Sequence, residues 1–144
     1  MDIIDKINEN HVEQIVNLEK KIFPGSFYKK EQLEEMKLSS DYLFLIAEEN
    51  LEVVGYIIAH DSLDIFEIMK IAVVENKRGR SVAEELLKKL LEITKLNVIL
   101  EVRESNMRAI RFYEKMGMKK ISLRKGYYSD NGENAAIMLL EREE

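Results

Sequence analysis

Three short stretches of this sequence carry side chains whose types and spacing suit chemistry. The first is Glu101-Val102-Arg103-Glu104-Ser105-Asn106, where an apolar run gives way to charged and helix-capping residues. Open sheets gather their functional groups at the carboxyl ends of buried strands. Glu101 follows Val98, Ile99 and Leu100, and a carboxylate partly desolvated by such neighbours is suited to take a proton near neutral pH. The same residue also reads as an exposed strand-end glutamate paired to Arg103 or Arg108. The second stretch is Arg78-Gly79-Arg80-Ser81-Val82-Ala83, a small, basic loop that opens an amphipathic segment. Backbone N–H groups at such a loop and helix start can surround an anion. The alternative is an ordinary helix start with Ser81 near the cap. It is neither a P-loop nor a dinucleotide fingerprint, because the required glycine spacings are missing. The third is Tyr113, beside Phe112 on an expected helix. Its ring suits a core, but its hydroxyl needs a partner or a cleft.

Other polar residues have plainer readings. His11 and His60 lack metal-ligand spacing, so no metal site is expected. Glu34-Glu35, and Glu84-Glu85 with Lys88-Lys89, read as solvated helix faces. The chain has no cysteine, which excludes a thiolate metal site, a disulfide framework and a cysteine nucleophile.

The elements that must position these groups alternate between two periods. Asn8 caps a helix whose buried-side spacing runs Val12, Ile15, Val16, Glu19, Ile22 and stops at Phe23-Pro24-Gly25-Ser26. A second short helix is expected over 30–38. Strands are expected over 2–7, 42–47, 51–59 and 63–74, with Glu48-Glu49-Asn50 as a hairpin break. A helix over 82–93 places Val82, Leu86, Leu87, Leu90 and Ile93 on one face. A strand over 96–102 is apolar enough for burial on both sides. The next helix starts at Ser105 or Asn106 and ends at Gly117, and strands over 118–123 and 135–140 close the chain. The order is β-α-α-β-β-β-α-β-α-β-β, an α+β domain in which at least one βαβ step makes parallel neighbours.

Composition narrows the partners. The 144 residues suit one domain, expected to span 1–144. Hydrophobic residues make up 46% and charged residues 34%, and the net charge is −5. That balance argues against nucleic-acid binding through phosphate neutralisation and fits a weak attraction for amines. No apolar run reaches the roughly 18 residues of a membrane span. No signal-like apolar stretch opens the chain. A cytoplasmic protein, monomeric or homodimeric, without nucleic-acid or membrane partners, is expected.

Taken in order, the segments resemble the GNAT (Gcn5-related) N-acetyltransferases, and most closely their RimI-like branch, which acetylates ribosomal-protein and other protein N-termini. Ile71-Ala72-Val73 looks like the family's I-A-V strand, and residues 78–83 resemble its R/Q-x-x-G-x-G/A loop. Leu100-Glu101-Val102-Arg103 resembles the family's L-E-V-R, with Ser105-Asn106 and Ala109 next along the chain. Tyr113-Glu114 with Gly117-Met118 resembles Y-E-x-x-G-F. Arg124, Tyr127-Tyr128, Glu133, Ala135 and Met138 resemble the branch's closing motif, and Phe23-Pro24 with Phe27 its F-P…W motif. Ser81 stands where the family carries glycine, Lys70 where the branch has Asn, Asn134 where it has Asp, and Phe27 where it has Trp.

The resemblance implies a GNAT fold: a mixed, mostly antiparallel central sheet with a splayed parallel pair, flanked by about four helices. It implies acetyl-CoA as acetyl donor. Ile71, Ala72 and Val73 would meet the pantetheine arm, which pairs with freed backbone as an added strand does. Arg78, Gly79, Arg80, Ser81, Val82, Ala83 and Glu84 would meet the pyrophosphate, and Asn106 would also contact the cofactor. Glu101 would be the general base and Tyr113 the general acid. Phe27, Tyr28, Tyr127 and Tyr128 would flank an acceptor peptide. An α-amine, with pKa about 7.7–8.0 against about 10.4 for lysine, is neutral several hundred times more often near pH 7, which favours an N-terminal acceptor. The alternatives are a GNAT acting on a small amine such as a polyamine or amino sugar, and a non-catalytic acyl-CoA-binding regulatory domain.

Overall fold

A computed structural model of the chain describes residues 1–79 and 81–142, so Arg80 of the phosphate loop lies outside the described residues. The element order is that expected: β1 (Asp2–Ile4), α1 (Glu9–Ile22), α2 (Lys30–Leu38), β2 (Tyr42–Glu49), β3 (Glu52–Asp61), β4 (Ile65–Val73), α3 (Val82–Ile93), β5 (Asn97–Arg103), α4 (Met107–Lys115), β6 (Lys119–Tyr128) and β7 (Glu133–Leu140). The seven strands form one mixed sheet in the order β1-β2-β3-β4-β5-β7-β6. All neighbours are antiparallel except β4 and β5. This is the GNAT architecture, with four α-helices among the described residues.

The hydrophobic periods decide which helix covers which face. Leu86, Leu87 and Leu90 of α3 are fully buried against Leu45, Ile57, Val98 and Leu100, with Ile110 and Tyr113 of α4 in the same core. Each such leucine contributes about 1.5–3 kcal/mol by leaving water. Val12 and Ile15 of α1 and Leu33 of α2 cover the other face, over Phe44, Ile46, Tyr56, Ile58 and Ala72. Gly55 permits the close approach of α3: a Cβ there would lie 2.9 Å from the Ala72 carbonyl and 2.9 Å from Val82 Cγ1.

The feature that matters for function is where β4 and β5 part. They pair in parallel only from Ile65 with Asn97 to Ile68 with Leu100. Beyond that point β4 pairs only with β3, as far as Val73, while β5 continues with β7 to Arg103. The parting coincides with a bulge. Ile58 of β3 pairs with Lys70 while Ala59 pairs with Ile68, leaving Met69 as the extra residue. A bulge bends and twists its strand, so β4 turns away from β5 and leaves an opening between the two faces of the sheet.

Several expected element limits change: β2 runs on to Glu49, so the expected Glu48-Glu49-Asn50 break narrows to Asn50-Leu51, β4 is Ile65–Val73 and β7 begins at Glu133. The strand expected over 2–7 is only Asp2–Ile4, and the strand expected over 118–123 runs on to Tyr128. Tyr127 and Tyr128 therefore end β6 instead of lying in a loop, beyond a register shift between Arg124 and Tyr128.

Candidate active site

On one side of the opening lies a cleft of about 520 Å³. Its walls bring together Ile71, Ala72, Val73, Arg78, Gly79, Ser81, Val82, Ala83, Glu84, Asn106 and Tyr113. These are all of the expected cofactor residues that are described, joined by the expected acid. Each is placed by a local cause. The edge of β4 is free of β5. Ser81 adopts a left-handed φ of 68° as the N-cap of α3, and the first turn of the helix, whose N–H groups lack intrahelical partners, lines the cleft from Ser81 to Glu84. Asn106 caps α4, its Oδ1 accepting from the Ala109 N–H at 3.2 Å. Arg78 folds back to donate from Nε to the Val73 carbonyl at 3.1 Å.

Lys77, Arg108 and Lys115 also line the cleft, so with Arg78 its rim is cationic although the chain as a whole is acidic. Apolar strand, helix N-terminus and cationic rim form the donor set that an anionic, pantetheine-bearing molecule needs. Lys115 is not marked by the sequence, and Arg108 is expected there only as a partner of Glu101, not at the cofactor cleft. Their visible signal was a spacing that puts basic residues on the face of α4 shared with Phe112.

Tyr113 is fixed by how α4 ends. Gly117, at φ 100°, donates to the Glu114 carbonyl at 3.0 Å, and Met118 donates to the Tyr113 carbonyl at 2.9 Å. That is the complete Schellman pair of bonds, with the left-handed residue a glycine. Phe112 packs against Tyr113 edge to face, with centroids 5.4 Å apart. Burial, and then the neighbouring Tyr128, push the Tyr113 phenol well above the ordinary tyrosine value.

Glu101 faces the opposite way. Val98, Leu100 and Val102 point into the α3–α4 core, so the alternation of β5 sends Glu101 to the α1–α2 face. Its side chain is 16% exposed, and Oε1 accepts from Arg124 Nη1 at 2.9 Å. The expected partners Arg103 and Arg108 are not used. Oε2 is buried and has no hydrogen-bond partner among the described residues.

Two tyrosines, Tyr127 and Tyr128, lie within reach of the Glu101 charge, and Tyr28 lies near Tyr127. Burial raises the Tyr127 phenol, with Glu101 adding, Arg124 opposing and Glu67 adding. Burial raises Tyr128 too, against the charge of Arg103. Tyr28 is pushed up to about 12, chiefly by burial, with Glu19, Tyr42, Tyr127 and Glu67 adding to it. Phe27, half-buried, adjoins Tyr28 on the same segment. Segment 23–28 and the turn between β6 and β7 meet on the Glu101 side of the opening: a Cβ on Gly25 would stand 3.7 Å from Asp130 Oδ2. Arg103 holds the turn. Its guanidinium lies 4.0 Å from the centre of the Tyr128 ring, 2.8 Å from Asp130 and 3.3 Å from Glu133. Glu133 in turn accepts from the Ser105 N–H at 2.8 Å. Glu67, on β4, also acts on Tyr28 and Tyr127 through its charge, and the sequence does not mark it.

The arrangement is a sheet parted by a bulge, with a cationic cofactor-shaped cleft on one side and a carboxylate among tyrosines on the other. The model of the GNAT acetyltransferase family matches residues 12–118. The chain belongs to the GNAT acetyltransferase family. It is an acetyl-CoA-dependent N-acetyltransferase. It is 34% identical over 150 residues to the [ribosomal protein bS18]-alanine N-acetyltransferase of Haemophilus influenzae, covering 96% of this chain and 97% of that one. It is 31% identical to an N-alpha-acetyltransferase of Saccharolobus solfataricus, covering 88% and 85%. The crystal structure of the ribosomal-protein-S18-alanine N-acetyltransferase of Escherichia coli superposes with a TM-score of 0.86 at 24% identity, over 99% of this chain and 94% of that one. Among the described residues no helix is long and apolar enough to cross a membrane, and no group of three or more His, Cys, Asp or Glu is placed to hold a metal ion.

Proposed function

We propose that this chain, acting as one domain over residues 1–144, transfers the acetyl group of acetyl-CoA to the α-amine of a protein N-terminus, with a ribosomal protein as the kind of acceptor. The observation that carries this reading is the placement of Glu101: at the opening, on the far side from the cofactor cleft, with one carboxylate oxygen held by Arg124 and the other turned away from it. The H. influenzae and S. solfataricus relatives, named for acetylation of N-terminal amines, support the same acceptor class.

When bound, acetyl-CoA supplies an acetyl thioester; the amine nitrogen gains the acetyl group and gives a proton to Glu101, and CoA leaves as the thiolate, which takes its proton from solvent on release. The residues of this chain do the rest. The cationic rim and the start of α3 hold the phosphates, and the free edge of β4 aligns the thioester arm. A main-chain N–H near Val73 polarises the carbonyl. Glu101 Oε2 takes a proton from the amine, directly or through one water, while Arg124 keeps the other carboxylate oxygen in place. Tyr113 donates from its hydroxyl to the sulfur. Its raised pKa keeps that donor protonated at every working pH. Transfer to a free thiolate of pKa about 8.5 is uphill for such a phenol, so its main contribution is a hydrogen bond to sulfur as charge develops there. The tyrosines on the Glu101 side of the opening align the incoming peptide backbone. Holding both reactants in one opening removes the need for a covalent enzyme intermediate.

The test is release of CoA thiol, against a low background because the protein has no thiol of its own. Acceptors are peptides with free Ala, Ser or Met N-termini, the same peptides N-terminally blocked but carrying Lys, and a set of polyamines and amino sugars. Turnover that requires the free N-terminus is expected; turnover only with small amines refutes the assignment.

A further inference from the structure

Lys70 is mostly covered, its side chain 10% exposed, next to the site and has no part in the acetyl transfer itself. It lies on the β4 register position between the bulge at Met69 and Ile71, on the α1–α2 face with Ala72. Its ammonium is 3.2 Å from Glu19 Oε1, 2.7 Å from the Ser26 carbonyl oxygen, and 3.9 Å and 4.9 Å from the ring centres of Phe23 and Tyr28. Glu19 has no exposed surface. Its Oε1 also accepts from the Tyr28 N–H at 2.8 Å, and its Oε2 accepts from the Tyr56 hydroxyl at 2.5 Å. One buried pair therefore ties β4, β3 and α1 to three residues of the 23–28 segment.

Stability alone is a poor reason for such a pair. Two charges lose their hydration on burial, and apolar residues of similar size are often as stable or more so. Desolvation indeed lowers the Lys70 pKa, with Glu19 opposing. What the pair fixes is specific: the Ser26 carbonyl and the Tyr28 amide and ring, which lie on the Glu101 side of the opening; the Phe23 ring, which lines the cofactor cleft, is held separately by its place at the end of α1. Arg103 fixes the β6–β7 turn through Tyr128 and Asp130. The two parted strands thus each send a cation to one of these segments.

We propose that Lys70, acting with Glu19, is a positioning residue for the acceptor: it clamps residues 23–28 beside the opening and so sets how tightly the acceptor binds, with little effect on cofactor binding or on the rate of the bound complex. This rests on the assignment of the Glu101 side of the opening to the amine acceptor.

The test uses the full chain with Lys70→Arg, Lys70→Met and the double change Glu19→Gln with Lys70→Met. Removing Lys70 alone strands a buried carboxylate and can unfold the protein, whereas the double change removes both charges and keeps the proposal testable. The readouts are kcat and KM for an Ala-initiated peptide, acetyl-CoA affinity by calorimetry, and hydrogen exchange of the amides in 23–28. In the folded double variant, peptide KM is expected to rise about tenfold while kcat and acetyl-CoA Kd stay within about twofold. The 23–28 amides exchange faster, and Lys70→Arg restores most of the peptide affinity. An unchanged peptide KM in the folded double variant overturns the proposal, as does a loss confined to kcat or to acetyl-CoA binding. If the native protein acetylates no peptide, the acceptor assignment fails by itself. Exchange then decides on the clamp: faster exchange confined to 23–28 upholds it, and unchanged exchange there overturns it.

Discussion

Replacing Glu101 with Gln isolates the proton-transfer step. The substitution keeps shape, and a glutamine oxygen can still accept from Arg124, but the charge and the basic oxygen are gone. The structural cost is small. Arg124 is 57% exposed, and ion pairs with an exposed partner contribute about 0–1 kcal/mol after screening. For a chain of this size 1 kcal/mol moves Tm by about 2–6 °C, so the variant folds. The cofactor cleft is lined by β4, the phosphate loop, α3, α4 and the end of α1 at Ile22 and Phe23, and does not include Glu101, so acetyl-CoA affinity stays within about twofold. Turnover is expected to fall about 10²–10⁴-fold, the usual contribution of a general base, which at 1.36 kcal/mol per decade is about 2.7–5.4 kcal/mol of barrier. The assay is CoA-thiol release with saturating acetyl-CoA and a free N-terminal peptide, alongside calorimetry for acetyl-CoA. Native turnover should rise with pH until the α-amine, pKa about 7.7–8.0, is mostly neutral; the variant keeps that amine dependence at a lower level. Unchanged turnover at pH 7 with normal cofactor binding refutes the role given to Glu101.

The geometry predicts three further outcomes. Tyr113→Phe should lower turnover about 10²-fold at unchanged acetyl-CoA affinity, and an acetyl thioester of a more acidic thiol, which needs less help to leave, should recover most of the loss. Ala83→Glu puts a carboxylate on the phosphate side of the cleft and should weaken acetyl-CoA binding at least about tenfold by calorimetry, against no change if the phosphates bind elsewhere. Gly55→Ala forces a Cβ to 2.9 Å from the Ala72 carbonyl and Val82, so denaturant titration should show a loss of about 1–3 kcal/mol, with acetyl-CoA affinity falling as α3 and β4 shift.

The sequence shows most clearly what is periodic or capped. Helices over 30–38 and 82–93 lie where their apolar spacing puts them, because each buries one face in a core that rewards that register. Strand β6 was legible only in part: it is exposed along nearly its whole length, so no in–out alternation marks Arg124 to Tyr128 as strand. The Glu101 partner was legible as a kind of residue and missed as a position. Arg103 and Arg108 are its near neighbours in sequence, but Arg103 turns to Asp130 and Glu133, and Arg124 arrives from β6, which only the sheet order brings alongside. Glu19 left a visible trace, a carboxylate on an otherwise apolar helical face. Its partner Lys70 lies far along the chain on another element, and no local spacing joins them. The opening between β4 and β5 has no local signal either, since it arises from one extra residue, Met69, against β3.

The most direct measurement places the acetyl group on a single peptide that offers both a free N-terminal alanine and an internal lysine. After incubation with the native protein and acetyl-CoA near neutral pH, fragment masses locate the added acetyl. The account predicts acetyl on the α-nitrogen with the lysine unmodified. Acetyl on lysine alone, or none on a peptide while a polyamine in the same mixture is acetylated, would contradict it.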